Sequence, residues 1–325
     1  MEQLPQMRMH RPATAEEAVA LHAEAAAARY LAGGSDLIVN VRRGIEQPEA
    51  LIYLNGIGEM HEIAESDGGI SMGGALTLRQ LAENEILRRD YPAVAEAAGE
   101  VAGPSHREYG TLGGNLCLDT RCIYYNQSEW WRATNSYCLK HRGEICHVAP
   151  GGKKCFAAFS GDLAPALLLF DAEVELAGPD GRRRLPLAEM YRNDGLDHLT
   201  LAAGELLVAV HLPALPADVR SGYAKSRVRG SIDFPLAGAA VRLSVKDGAL
   251  GDLRVALTGV GSWPFLVPGT EKFIGGPLDE ETSAQLRELV RAKAKAMKTT
   301  TTAPHYRRRV AGVLAQRLAE GLATA

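Results

Sequence analysis

The chain has 325 residues, of which 46% are apolar, 6% aromatic and 23% charged, with a net charge of −3 and a pI near 6.3. That is the composition of an ordinary soluble globular protein of two or three domains, and it excludes a disordered, collagen-like or membrane chain. The slight acidity excludes a global basic field that would attract nucleic acid or anionic lipid.

The first segment, Met1–Pro12, is polar and carries no apolar signal core. Thr14-x-x-Glu17 reads as a capping box that opens a helix through the alanine-rich stretch to Ala28. Tyr30–Ala32 reads as a short strand broken by Gly33-Gly34-Ser35-Asp36, and Leu51–Leu54 as a second strand. Ser66-Asp67-Gly68-Gly69 suits a hairpin turn with positive φ. Residues 78–100 read as helical patches broken at Tyr91-Pro92. Thr111–Phe159, rich in Cys, Tyr, Trp, Asn and Arg, shows neither a helical nor a strand period and reads as an irregular segment held by something other than an apolar core.

Regular structure is expected again from Leu163–Phe170, a helix. A strand at Glu173–Leu176, a Gly178-Pro179-Asp180-Gly181 turn and a strand at Leu206–Leu212 follow, and Pro213–Pro216 makes a domain boundary. Beyond residue 217 the order is strand, strand, helix, helix: a hairpin of Ala237–Val245 and Leu253–Val260 around Asp247-Gly248, then helices near 279–297 and 305–321. The runs Arg182–Arg184 and Arg307–Arg309 read as solvated helix or turn faces. No apolar run reaches the roughly 18 residues that span a bilayer, so no membrane segment is expected. The fold class is α+β, with a mixed two-lobed first part and a smaller C-terminal α/β lobe.

Two glycine pairs stand out, in Ala32-Gly33-Gly34-Ser35-Asp36 and in Thr111-Leu112-Gly113-Gly114-Asn115. Glycine permits φ > 0 and removes the Cβ that would keep an anion from the backbone, so successive N–H groups can form a nest around phosphate. Ser35 and Thr111 would add hydroxyl donors, and two such loops can clamp a pyrophosphate from both sides. Neither loop is a Rossmann or P-loop pattern, and either one alone equally suits a tight turn.

The wording around the loops is more specific. Arg29–Leu37 (RYLAGGSDL) and Arg107–Leu116 (RxxGTLGGNL) resemble the two pyrophosphate loops of the FAD subunits of the xanthine dehydrogenase and carbon monoxide dehydrogenase family. Ser160-Gly161-Asp162-Leu163-Ala164-Pro165-Ala166-Leu167 resembles that family's S-x-D-x-x-P-x-L segment, with glycine where proline is common. Gly204-Glu205-Leu206-Leu207 followed by His211-Leu212-Pro213, then Tyr223-x-Lys225-x-x-x-Arg229-x-x-x-Asp233, and last Pro304-His305-Tyr306-Arg307, match further family segments in order. The resemblance implies a vanillyl-alcohol-oxidase-type FAD-binding domain at 1–215, in lobes of about 1–57 and 58–215. It also implies a C-terminal domain of the CO dehydrogenase flavoprotein type at 216–325. By the same resemblance, Arg29, Tyr30, Leu31, Ala32, Gly33, Gly34, Ser35 and Asp36, with Gly110, Thr111, Gly113, Gly114 and Asn115, hold the FAD phosphates. Asp162 would meet the flavin's sugar-alcohol chain, Val101 and Leu207 would wall the cofactor, and Lys225 would contact it from the C-terminal lobe.

All five cysteines, Cys117, Cys122, Cys138, Cys146 and Cys155, fall within 39 residues. A cytoplasmic, reducing setting is expected, and there such a cluster points to metal ligation rather than disulfides. Four thiolates complete either a zinc tetrahedron or an iron–sulfur cluster, and the C-x15-C-x7-C-x8-C spacing matches neither zinc ribbons nor ferredoxins, so spacing does not choose the metal. Unpaired thiols in a buried loop are a third reading. Cys117, between two leucines, suits a buried inert thiol. His141 and His147 are left outside the ligand set, and Tyr124, Tyr125, Trp130, Trp131 and Tyr137 would supply apolar cover.

In the family the Gly-Gly-Asn loop runs into the S-x-D-x-x-P helix after a few residues, whereas about forty separate Asn115 from Ser160 here. The extra segment, about 118–159, is thus an insertion, and it resembles the one in the flavin subunit of 4-hydroxybenzoyl-CoA reductases. That resemblance implies a [4Fe-4S] cluster on Cys122, Cys138, Cys146 and Cys155. It further implies electron flow from ferredoxin through this cluster and FAD toward [2Fe-2S] and molybdenum centres on small and large partner subunits, in a dimer of heterotrimers. The chain would be an electron-transfer subunit with no substrate site of its own. The alternatives are the FAD subunit of an oxidising xanthine/CO dehydrogenase-type hydroxylase with a structural zinc lobe, and a self-sufficient flavin oxidase.

Overall fold

A computed structural model describes residues 4–324 apart from Ala26 and Asp67. Its first lobe contains β1 (Arg8–His10), α1 (Ala15–Glu24), β2 (Ala28–Leu31), α2 (Leu37–Arg42) and β3 (Ala50–Tyr53). The strands pair in parallel in the order β1-β3-β2. Thr14 caps α1 by accepting from Glu17 N at 3.1 Å, while the Glu17 carboxylate turns back to Ala13 N at 2.7 Å. The alanine-rich run predicts a helix to Ala28, but α1 ends at Glu24 and Ala28 opens β2 instead. Ala28 is fully buried opposite Ala50, so sheet packing overrides a local preference for helix.

The second lobe is an antiparallel sheet ordered β4-β5-β8-β6-β7, covered by short helices. It comprises β4 (Ile63–Ser66), β5 (Gly69–Gly73), α3 (Leu78–Glu83), α4 (Glu85–Asp90), α5 (Pro92–Glu100), α6 (Pro104–Arg107), α7 (Leu112–Leu116), α8 (Glu129–Thr134), α9 (Leu163–Leu168), β6 (Glu173–Gly178), β7 (Gly181–Pro186) and β8 (Leu206–Pro213). The hairpin expected at residues 66–69 joins β4 to β5, its Asp67 lying outside the described residues. Leu81, Val94, Leu112, Leu167 and Val210, all fully buried, meet in the core beneath the sheet.

The arginines of Arg182–Arg184 lie on the edge strand β7, not on a helix or turn. They meet a matched set of carboxylates: Arg182 reaches Glu16, Glu59 and Glu175, Arg183 reaches Glu205, and Arg184 reaches Glu175. Hydrogen bonds from Arg183, against desolvation and helped by Ala202 N–H, hold the Glu205 carboxyl below its ordinary 4.5. A depressed carboxyl adds stability above its unfolded pKa, which is lost as pH falls through the folded one. The urea midpoint is therefore expected to fall below about pH 4.5, and Glu205→Gln to make that fall shallower.

The C-terminal domain contains β9 (Arg220–Ser226), β10 (Ala237–Lys246), β11 (Ala249–Thr258), β12 (Phe265–Leu266), α10 (Glu280–Lys293) and α11 (Pro304–Thr324), with strand order β12-β11-β10-β9. On β10, Ala239, Val241 and Leu243 face the helices of this domain, while Ala240 faces the core of the second lobe. One sheet thus joins both domains, and α5 and α9 pack on it. The strand β9 is absent from the sequence reading because Ser221 and Lys225 are polar residues on its buried face.

Arg307 also departs from the expectation of a solvated face. Its side chain, 1% exposed, donates to the carbonyls of Leu236, Met297 and Gly259 and to Thr299 Oγ1. Three consecutive arginines cover most of a helix's circumference, so one must point inward, and this one closes loop carbonyls that would otherwise be buried unpaired. Arg307→Ala is expected to cost about 3 kcal/mol or more of stability, read as a lowered urea midpoint at unchanged slope.

Candidate functional site: a glycine-lined cleft beside a four-cysteine cavity

The two glycine loops, far apart in sequence, are in backbone contact. A Cβ on Gly33 would overlap the Tyr109 carbonyl, and Gly34 takes a left-handed φ of +69°. These positions require glycine, one for the close approach and one for the conformation. The second loop is fixed from below, since Leu112 N donates to Leu76 O at 2.9 Å and Gly113 N to Gly74 O at 2.8 Å. Thr111 caps α7 by accepting from Gly114 N at 3.2 Å. Asn115 spends its side-chain oxygen on Leu163 N at 3.0 Å, which ties the loop to α9.

Between the loops runs a cleft of about 550 Å³, within the range of small-molecule sites. Arg29, Tyr30, Leu31, Ala32, Gly33, Gly34, Ser35, Asp36, Val101, Gly110, Thr111, Gly114, Asn115 and Asp162 line it. Gly113, Leu207 and Lys225 are not among its lining residues. Gly113 lies against the Gly74 backbone, and Leu207 belongs to the core. Lys225 is buried behind the wall with Nζ 3.0 Å from Asp162 Oδ1, and the same oxygen accepts from the Tyr223 hydroxyl at 2.6 Å. Burial pushes the Asp162 carboxyl up, against the pull of Lys225 and the Tyr223 hydroxyl. Strand β9 thus holds from behind the carboxylate that the cleft presents.

The cleft also contains residues to which the sequence assigned no part in it. Arg229, Ile232, Asp233 and Phe234 reach its rim from the loop after β9. Ile232 N donates to Ala102 O at 2.9 Å, and both residues have positive φ, +53° and +45°. His106, Cys117, Asp119 and Arg121 line it as well. His106 Nδ1 and Arg121 Nη1 are buried without a protein partner. Polar atoms left open beside glycine backbone suit a bound group that carries its own acceptors, and an elongated dinucleotide such as FAD fits this lining.

The five cysteines divide between the cavity and the cleft. Cys122, Cys138, Cys146 and Cys155, all buried, line one small cavity, whereas Cys117 faces the cleft. Among the described residues, no three His, Cys, Asp or Glu side chains close on a point that would hold a single metal ion. Tyr125 N donates to Cys122 Sγ and Ala157 N to Cys155 Sγ, each at 3.4 Å. Desolvation pushes the Cys155 thiol up to about 12, and Cys117 likewise. His147 lines the cavity but is turned to the Tyr137 carbonyl. Of the aromatic residues expected as cover, Tyr125 is buried but Trp130 is 74% exposed, because it lies on the outer face of α8.

Cavity and cleft share a wall. Lys140 lines the cavity and donates to Asp119 of the cleft at 2.8 Å and to Thr120 Oγ1 at 2.9 Å. Tyr125 stands between them, with Lys140 Nζ 5.3 Å and the Arg121 guanidinium 5.6 Å from its ring centre.

Two family descriptions match the chain, "FAD binding domain in molybdopterin dehydrogenase" over residues 5–215 and "CO dehydrogenase flavoprotein C-terminal domain" over residues 221–322. The FAD-binding subunit of an Escherichia coli aldehyde oxidoreductase is 35% identical over 254 residues, covering 75% of this chain and 78% of that one. The carbon monoxide dehydrogenase medium chain of Afipia carboxidovorans is 27% identical over 321 residues, covering 96% of this chain and 94% of that one. The solved structure of reconstituted CO dehydrogenase from Oligotropha carboxidovorans superposes with a TM-score of 0.81 at 25% identity, covering 99% of each chain. No helix among the described residues is long and apolar enough to cross a membrane.

Proposed function

Given that the chain belongs to the FAD-binding medium subunits of xanthine and CO dehydrogenase-type molybdenum hydroxylases, we propose that it is a flavo-iron–sulfur electron-transfer subunit of a complex that reduces its substrate. The specific proposal is a [4Fe-4S] cluster on Cys122, Cys138, Cys146 and Cys155. Electrons from ferredoxin would pass by way of this cluster and FAD to [2Fe-2S] and molybdenum centres on small and large partner subunits, in a dimer of heterotrimers. The reaction served would be reductive dehydroxylation of 4-hydroxybenzoyl-CoA to benzoyl-CoA. The observation that carries the reading is the gathering of four insertion cysteines around one cavity that shares a wall with the flavin cleft.

Four thiolates around one cavity can hold either a zinc ion or a cluster, and what supports the cluster is the wall shared with the flavin cleft, beside which a redox-active group has a use and zinc only a structural one. The N–H donors on Cys122 and Cys155 are of the kind that tune a cluster's potential. Bound FAD would supply the exchange between one-electron and two-electron carriers, and the chain's own work is to hold and shield it. Within the cleft the glycine backbone leaves room for the phosphates, Val101 walls the cofactor, and Asp162 is held ready to accept from its hydroxyl groups.

A second reading has its own support. The relatives above are named as an oxidoreductase and dehydrogenases, which favours a subunit serving oxidation, with zinc in the cysteine lobe. Low-temperature EPR of the reduced complex separates the two. The reductive reading predicts a cluster signal beyond those of the small subunit's [2Fe-2S] centres. A complex without it, oxidising its substrate with no need of ferredoxin, would overturn the proposal.

A further inference from the structure

The geometry points to Arg121 as a binding residue for the pyrophosphate of the bound dinucleotide, supplied to the flavin cleft by the cysteine lobe rather than by the FAD-binding domain proper. Arg121 stands at the neck of the insertion, where its N–H and carbonyl pair with those of Ala158, both at 2.9 Å. That antiparallel bridge fixes the backbone, and Cys122 is the next residue. The side chain, only 9% exposed, leaves the lobe and enters the wall of the cleft.

There its two terminal nitrogens differ. Nη2 donates to Asp36 Oδ2 at 2.9 Å, at the end of the first glycine loop. Nη1 is buried with no protein partner. A buried guanidinium N–H without an acceptor is destabilising unless a ligand satisfies it. The Asp36 contact and the neighbouring Tyr125 ring hold the guanidinium at the end of the first glycine loop. Arginine presents paired donors suited to phosphate oxygens, whereas the glycine N–H groups around it are neutral. A diphosphate brings negative charge into a cleft whose lining also carries Asp36, Glu46, Asp119 and Asp162, so a fixed cation within reach is the expected counterpart. Arg29, Arg43 and Arg229 also line the cleft, but Arg29 is committed to Glu46 at 2.9 Å and Arg229 to Asp233 at 3.6 Å.

The inference depends on the flavin cleft alone, so a protein found to hold zinc, or nothing, in its cysteine cavity leaves it standing. The test is binding of ADP and of FAD to the full-length chain freed of flavin, by calorimetry and flavin fluorescence, for wild type, Arg121→Gln and Arg121→Lys. Arg121→Gln is expected to weaken ADP and FAD by similar factors of tenfold or more and to make ADP affinity less sensitive to salt. Arg121→Lys, which keeps the charge, should recover most of the ADP affinity, and Arg121→Met, read by the same outcomes, takes the place of the glutamine variant if that one does not fold. An ADP affinity within twofold of wild type in Arg121→Gln would overturn the assignment. So would weakened FAD with unchanged ADP, which puts the guanidinium on the flavin ring, or an unchanged salt dependence, which makes the residue structural.

Discussion

Gly33→Ala is expected to yield a folded protein that purifies without flavin, with FAD affinity reduced at least a hundredfold. The added methyl would enter the space of the Tyr109 carbonyl, which is backbone and has no rotamer to give. The two loops must separate, and the cleft they enclose opens with them. Because the contact lies at the surface of the cleft and not in the apolar core, the cost falls on cofactor binding more than on folding. Gly44, also at positive φ but with open space around its Cβ position, is the control. Its replacement by alanine should cost about 1 kcal/mol of stability and leave flavin content unchanged. Flavin absorbance per chain after gel filtration reads both outcomes.

Cys122→Ser and Cys155→Ser are each expected to abolish the cluster, with iron falling from about four per chain to near zero, while FAD stays bound. These cysteines line the cavity and not the cleft, and both accept N–H donors within the insertion. Cys117→Ser is the matched control. Its thiol faces the cleft, so this variant should keep its iron and change at most the flavin environment. If Cys117→Ser lost iron as completely as Cys122→Ser did, the ligand set drawn here would be wrong.

How far the sequence reveals this molecule depends on the range of the interactions concerned. Thr14 as a helix cap, the turn at Gly178–Gly181 and the long helix at the C-terminus are local patterns, and each stands close to where spacing places it. Gly33-Gly34 could be recognised as a loop, whereas Gly113-Gly114 lies in the short helix α7. That Gly33 meets Tyr109, 76 residues later, could not be recognised, because backbone contact at such separation leaves no mark in composition. Arg307 misled for a related reason. A buried cation looks like a surface residue until the carbonyls that receive it are in view. Arg121 is the sharpest case, since nothing near it in sequence signals that its side chain leaves the cysteine lobe and enters the flavin cleft. The cysteine clustering was legible, but the exposure of Trp130 was not, since an aromatic residue in a small lobe reads equally as cover or as surface.

Quantitation of iron, acid-labile sulfide and zinc against flavin, in anaerobically purified chain separated from partner subunits, tests the central claim most directly. About four iron and four sulfide per FAD with negligible zinc are expected. About one zinc per FAD without sulfide would contradict the cluster and, with it, the reductive direction of electron flow.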